Sequence, residues 1–296
     1  MTSVVASWNA APQAPTLRAL PDPGRPVPGN PEDGVLRYLS ASRLKCWQSC
    51  RRQFYYRYVV RIETPTAPAL FVGQAVHELL RLLNWKRWKD ETHDEAWLRE
   101  ELDRYWEREA PVARVAWKDA AEEEKDRAQA WSLVETYLAQ CPVDPTEKPE
   151  GVEVQVECEL GSGRPPLVGI LDLVRAGGMV TDYKTAARSP GEFMATLQHA
   201  TQLACYALLY RASTDRTERG FQLIHLIKTK EPRIEVHTLG PMTPVQEAQL
   251  FFLIDDYLDG IAAERWIPSP GQHCSWCDYA DLCRAQCGIG GVGGIV

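Results

Sequence analysis

Val152, Val154, Val156 and Cys158 alternate with Glu153, Gln155, Glu157 and Glu159. A period of two over this run predicts a half-buried strand with an acidic outer face. Two more β-branched runs follow, Val168-Gly-Ile-Leu-Asp172-Leu-Val-Arg175 and Met179-Val-Thr-Asp182-Tyr-Lys184-Thr185, with Ala176-Gly177-Gly178 between them. They read as the two arms of a hairpin. Strands are expected near 152–160, 167–175, 179–184, 221–229 and 233–238. Apolar positions recur with helical spacing over Leu39–Val60, Leu70–Trp88, Ala195–Arg211 and Pro244–Arg265. The charged, amphipathic stretches His93–Glu109 and Lys118–Gln140 predict a helical hairpin with Pro111 at the break. Helices, three strands, a helix, two strands and a helix give an α/β class with a central mixed sheet flanked by helices. A Pro/Ala-rich arm over 1–35 is expected to be disordered and the Gly-rich tail over 288–296 flexible, leaving one domain over 36–287 with a helical insertion at about 90–140.

Side chains alternate along a strand, so Asp182 and Lys184 point to one face and Tyr183 to the other. Asp172 can join them only in one register. A two-residue Gly177-Gly178 turn would pair Ala176 with Met179 and set Asp172 opposite Tyr183, on the wrong face. A three-residue loop, Ala176 to Gly178 with Gly178 left-handed, sets Arg175 opposite Met179 and Asp172 opposite Asp182. Two carboxylates and an ammonium group on one face suit phosphodiester hydrolysis. The carboxylates bind Mg²⁺ or Mn²⁺ to activate water, and the lysine steadies developing charge.

Upstream, Gly73-Gln-Ala-Val-His77-Glu78 lies on one helical segment, and downstream Gln202 and Tyr206 lie one turn apart on another, with Gln198 on the same stripe. In this order His77, Asp172, Asp182-Tyr183-Lys184 and Gln202-x-x-x-Tyr206 resemble the PD-(D/E)XK nuclease superfamily. More narrowly they resemble its RecB-like branch, with the AddB nuclease domain and the CRISPR-associated RecB-like exonucleases, from about Leu39 to Cys283. The resemblance implies a restriction-endonuclease-like core and a metal held by His77, Asp172, Asp182 and the backbone carbonyl of Tyr183. It implies catalytic roles for Asp172, Asp182, Lys184, Gln202 and Tyr206. Asp182 stands where many relatives carry Glu, which is equally a hard oxygen ligand.

Nine cysteines are many for a chain whose start lacks the pattern of a secretory signal. Cys274, Cys277 and Cys283 cluster near one end and Cys50 near the other, and four thiolates suit zinc or an iron–sulfur cluster. Spacing alone favours zinc. The resemblance implies a [4Fe-4S] staple held by these four; Cys46, one helical turn before Cys50, and Cys287, four residues after Cys283, are substitutes by position. Thiolate ligation also points to a reducing compartment, the cytoplasm. Cys141, Cys158 and Cys205 fall within element patterns and read as small buried hydrophobes.

The net charge of −7 is unsuited to DNA, but basic residues crowd one segment among Tyr55, Tyr56 and Tyr58. Arg43, Arg51, Arg52 and Tyr55 are its candidate DNA contacts; a solvated helix face beside core tyrosines is the other reading. No apolar stretch approaches membrane-spanning length, and no G-x-x-x-x-G-K-[ST] loop occurs, so an unwinding helicase or recombination partner would be a separate chain. The resulting expectation is an exonuclease acting on single-stranded DNA ends in recombination, repair or phage DNA processing. The alternatives are a non-catalytic DNA-binding or scaffolding subunit and a zinc-bound adaptor.

Overall fold

The computed structural model describes residues 34–288 and the backbone of Val4–Ala6. Most of the expected arm and tail therefore lies outside the described residues. A six-stranded mixed sheet sets its strands side by side in chain order: β1 (Val4–Ala6), β2 (Gly151–Cys158), β3 (Leu167–Arg175), β4 (Met179–Ala186), β5 (Gly220–Ile227) and β6 (Arg233–Leu239). β1 pairs antiparallel with β2, β3 with β4, and β5 with β6, whereas β4 and β5 run parallel. A parallel pair needs a crossover, and helix α6 (Glu192–Thr214) supplies it. The sequence pattern gave no warning of β1.

Within the span expected as one domain the chain packs as two compact units. The first holds residues 65–158 and 169–242, with helices α3 (Pro68–Trp88), α4 (Glu95–Ala113) and α5 (Ala120–Gln140). (The lower numbers α1 and α2 belong to Ala41–Ser49 and Arg51–Phe54 in the second unit.) Phe71, Leu79, Leu98, Leu102 and Trp106 join Leu173, Tyr183 and Ile224 of the sheet in one buried cluster. Because Tyr183 turns into this cluster, its neighbours Asp182 and Lys184 face the opposite side of the sheet. There α6 packs against β2 and β6, so helices cover both faces. α4 starts at Asp94, whose carboxylate accepts from the Trp97 N–H at 2.8 Å. Pro111 does not break the hairpin; α4 continues through it to Ala113 and stops at left-handed Arg114. A proline so close to a helix end removes only one intrahelical donor.

The second unit holds residues 34–64, 159–168 and 243–288. The single helix expected over Leu39–Val60 is instead α1, α2 and a wide turn at Tyr55–Val59. The interruption is Cys50, whose backbone is extended (φ −161°, ψ 112°). α7 (Pro244–Ala262) opens with a reciprocal cap between Thr243 and Gln246, and α8 (Ala280–Cys287) ends the described chain. Trp47 packs edge-on against Phe54 and Tyr257, and its indole N–H donates to Asp256 at 2.9 Å. Among the described residues, no helix is long and apolar enough to cross a membrane.

Candidate active site

Leu173 lies opposite Thr181, Val174 opposite Val180 and Arg175 opposite Met179. The connection is thus the three-residue turn Ala176-Gly177-Gly178, and the same register carried one step further sets Asp172 across from Asp182. Gly178 has φ +78°, and a Cβ there would come within 2.3 Å of the Tyr210 hydroxyl. The turn therefore requires glycine on two counts, conformation and space. Its odd length is what puts both carboxylates on one face.

Asp182 is 1% exposed. Its Oδ1 accepts from Gln202 Nε2 at 2.9 Å, and the same amide nitrogen donates to the Tyr206 hydroxyl at 2.8 Å. Its Oδ2 lies 2.6 Å from Lys184 Nζ, a close ionic contact without hydrogen-bond alignment, which leaves that buried oxygen with no hydrogen-bond partner. Asp172 Oδ2 accepts from the Tyr183 N–H at 3.2 Å and lies 3.5 Å from His77 Nδ1. Burial first, and the Asp182 charge second, push the Asp172 carboxyl above the ordinary range. Burial, then the two carboxylates, likewise push the Tyr206 phenol well up, so it remains neutral.

α3 packs on the Tyr183 face, where it approaches β4 closely at Gly73, and from it His77 reaches the Asp172 carboxylate. A Cβ on Gly73 would meet Thr185 Oγ1 at 2.8 Å. On that face Tyr183 anchors β4: its hydroxyl accepts from Asn84 Nδ2 at 2.9 Å and meets the Tyr137 hydroxyl at 3.1 Å. Arg87 Nη1 in turn donates to Asn84 Oδ1 at 3.0 Å. Sequence reasoning missed this support, although a polar Asn84 amid apolar α3 neighbours was its available signal. It also missed His225, the cross-strand partner of Lys184, whose ring lies between a tilted His199 and an edge-on His237. Burial, then His237 and Lys184, lower the His225 pKa to about 4, so it is neutral at pH 7. Glu78 holds Arg81 through two hydrogen bonds of 2.7 Å. Of the β2 glutamates, Glu153 is half-buried with φ +49°, and its charge is felt by Tyr206 and Arg81.

The cysteines expected as a staple all lie in the second unit. Cys50, Cys274, Cys277 and Cys283 line one pocket of about 210 Å³, walled also by Pro268, Pro270 and Tyr279. Cys50 Sγ accepts from the Ser269 N–H at 3.5 Å. Burial raises the Cys277 thiol, and burial with the neighbouring Cys287 raises Cys283 to about 11. As the side chains stand, no three His, Cys, Asp or Glu among the described residues are grouped to hold a metal ion. Cys158 and Cys205 are buried as expected, but Cys141 is exposed. It ends α5 in a left-handed conformation (φ +45°), beyond the last turn that packs inward.

Two of the expected DNA contacts have partners within the fold. Arg43 is buried, and its Nη1 donates to the carbonyls of Val35 and Tyr38, both at 2.8 Å. Arg51 Nη2 bridges both oxygens of Asp256, at 2.9 and 2.8 Å. Each guanidinium is thereby taken by a partner distant from it in the chain or by main-chain oxygens. Arg52 donates to the Tyr56 hydroxyl at 3.1 Å, and it and Tyr55 remain partly exposed. Tyr56 and Tyr58 are core residues.

The model of the PD-(D/E)XK nuclease superfamily matches residues 38–284. Among solved structures, a provisionally named exonuclease from Eubacterium rectale matches with a TM-score of 0.54 and 16% identity, over 84% of this chain and 88% of that one. The structure of the protein SSO0001 matches with a TM-score of 0.36 and 17% identity, over 82% of this chain and 94% of that one. The sequence finds no match among curated proteins.

Proposed function

The chain belongs to the PD-(D/E)XK nuclease superfamily, and on that premise we propose that it is a metal-dependent DNA exonuclease of the RecB-like branch. Its substrate is a single-stranded end, in recombination, repair or phage DNA processing. The observation that carries this reading is the pair of buried Asp182 and half-buried Asp172, with Lys184 2.6 Å from the former. Two carboxylates on one face, one with its pKa raised by burial and by the other, repel until a cation joins them. The hydrogen-bond-free Asp182 Oδ2 and the hard donor set fit Mg²⁺ or Mn²⁺. His77, Asp172, Asp182 and the Tyr183 carbonyl would hold the ion, which when bound lowers the pKa of water and screens phosphate charge.

The chain's own groups do the rest. Lys184 opposes negative charge on the attacking or departing oxygen. Gln202 fixes the Asp182 carboxylate and the Tyr206 hydroxyl at once, so strand and helix present one geometry to the phosphate. In the second unit, the pocket lined by four thiols suits a [4Fe-4S] cluster, with zinc as the less favoured occupant. Arg52 and Tyr55 are retained as nucleic-acid contacts.

The test is digestion of 5′- and 3′-labelled single and double strands by anaerobically purified protein, with Mg²⁺, Mn²⁺ or chelator. Cleavage is expected only with a divalent ion. Lys184→Ala should lower turnover by about 10²–10³ while DNA affinity stays within a few-fold. A Lys184→Ala protein with wild-type turnover would sink the assignment. Wild-type protein that binds DNA but never cleaves it would instead make this a scaffolding subunit.

A further inference from the structure

α6 is exposed and apolar where it enters the site. Phe193 is 75% exposed, Leu197 57% and Met194 42%. They occupy the first turns of the helix that carries Gln202 and Tyr206 farther along. Residues four apart on a helix form continuous ridges. One ridge runs Met194, Gln198, Gln202, Tyr206, and the adjacent one begins Phe193, Leu197. At 1.5 Å per residue, Leu197 stands about 8 Å and Phe193 about 14 Å along the axis from Gln202. Three large apolar side chains left in water on one short segment, continuous with a polar site, require an occupant with apolar faces.

The surroundings supply cations for its backbone. β4 and β5 are parallel and end level, with Ala186 beside Ile227. Exposed Arg188, five residues before Phe193, and exposed Lys230 follow the two strands, with exposed Glu192 and Glu231 next to Phe193 and Lys230. Cations beside exposed aromatic and aliphatic groups suit a chain of phosphates bearing bases, since every base offers a stacking face. A duplex buries those faces in its own stack. A single strand does not.

We infer that Phe193, Met194 and Leu197 form a stacking platform for the unpaired bases next to the scissile phosphate, with Arg188 on the phosphate backbone. The inference rests on the nuclease reading and gives it a residue basis for single-strand preference.

The experiment uses the full chain with a short fluorescent oligonucleotide and chelator present, so that binding is read without cleavage. Phe193→Ala should weaken single-strand affinity about tenfold, and Phe193→Trp should restore it. Wild-type protein should lose a similar factor when abasic nucleotides replace the bases nearest the cut, whereas Phe193→Ala should lose little more. Arg188→Gln should lower the slope of log affinity against log salt by about 0.7. If Phe193→Ala and Leu197→Ala bind intact and abasic strands as the wild type does, the platform is wrong although the nuclease reading survives. If the wild type binds strands through Phe193 yet cleaves nothing with Mg²⁺ or Mn²⁺, the platform stands and the nuclease reading fails. If the substitutions leave DNA binding unchanged but dissolve a wild-type dimer in sedimentation, the patch is a protein interface and the inference is overturned.

Discussion

The Asp172 carboxyl has its pKa raised by its burial and by Asp182. The folded, metal-free protein therefore holds that proton more tightly than the unfolded chain does. The resulting stability is fully present below the unfolded value of about 3.9 and is lost as pH rises through the higher folded value. As pH rises through that window, holding the charged Asp172 in this site becomes destabilising. We expect Asp172→Asn to abolish divalent-dependent cleavage and yet raise the melting temperature of chelated protein at pH 7. Each kcal/mol relieved corresponds to about 2–4 °C in a domain near this size. The gap to wild type should close as the melts are repeated toward pH 4. Mn²⁺ should raise the wild-type melting temperature and move the variant less, because a ligand stabilises the state that binds it. A variant less stable than wild type at every pH would show that Asp172 is a structural acceptor for the Tyr183 N–H and not a repelled carboxylate.

Gly73 sets how near α3 lies to β4, with a would-be Cβ 2.8 Å from Thr185 Oγ1. In an ordinary helix interior Gly→Ala stabilises by about 1 kcal/mol. Here the clash should reverse that sign, and pushing α3 outward should also draw His77 from Asp172. We expect Gly73→Ala to lower both melting temperature and cleavage. In a Thr185→Ala background the same change should become neutral or stabilising, a coupling that a double-mutant cycle measures. Additive effects of the two substitutions would mean that the contact does not set the helix position. The hairpin was legible at this scale because parity leaves few choices: two aspartates must share a face, so the turn must be odd. Strand periods were legible for the same reason, since burial on one face imposes alternation. The break at Cys50 was not. Leu39–Val60 contains neither Gly nor Pro, and the interruption serves contacts made by the thiol with residues far along the chain. Pro111 misled in the opposite direction, since α4 runs through it and ends only two residues later, at Ala113.

Across the whole molecule, what the sequence concealed is which charges are already satisfied. Arg51 and Asp256 lie 205 residues apart, and nothing local distinguishes that guanidinium from one free to meet DNA. Buried Arg43 is hidden in the same way, its partners being main-chain carbonyls. The cysteines were more legible, since three of them cluster and the fourth stands with Cys46 near the other end. Their common pocket joins segments more than 200 residues apart. Closing a loop of that length stabilises by about 5 kcal/mol in a chain-entropy account. A metal held by Cys50, Cys274, Cys277 and Cys283 should therefore be chiefly a structural clasp. Binding requires thiolates, and the raised Cys277 and Cys283 thiols mean that loading releases protons and weakens as pH falls. We expect Ser at any of the four to remove iron and sulfide together and to lower the melting temperature by on the order of 10 °C. Cys158→Ser and Cys205→Ser should leave the iron content unchanged, and so should Cys141→Ser at the exposed end of α5. Cys287 neighbours Cys283 without lining the pocket, so Cys287→Ser should keep the cluster, whereas Cys46, buried with its thiol pushed up to about 12, is a poor substitute ligand. Elemental analysis of anaerobically purified protein decides the occupant. Zinc without sulfide would keep the clasp and overturn the iron assignment, and metal-free protein with unchanged stability in all four variants would remove the clasp altogether.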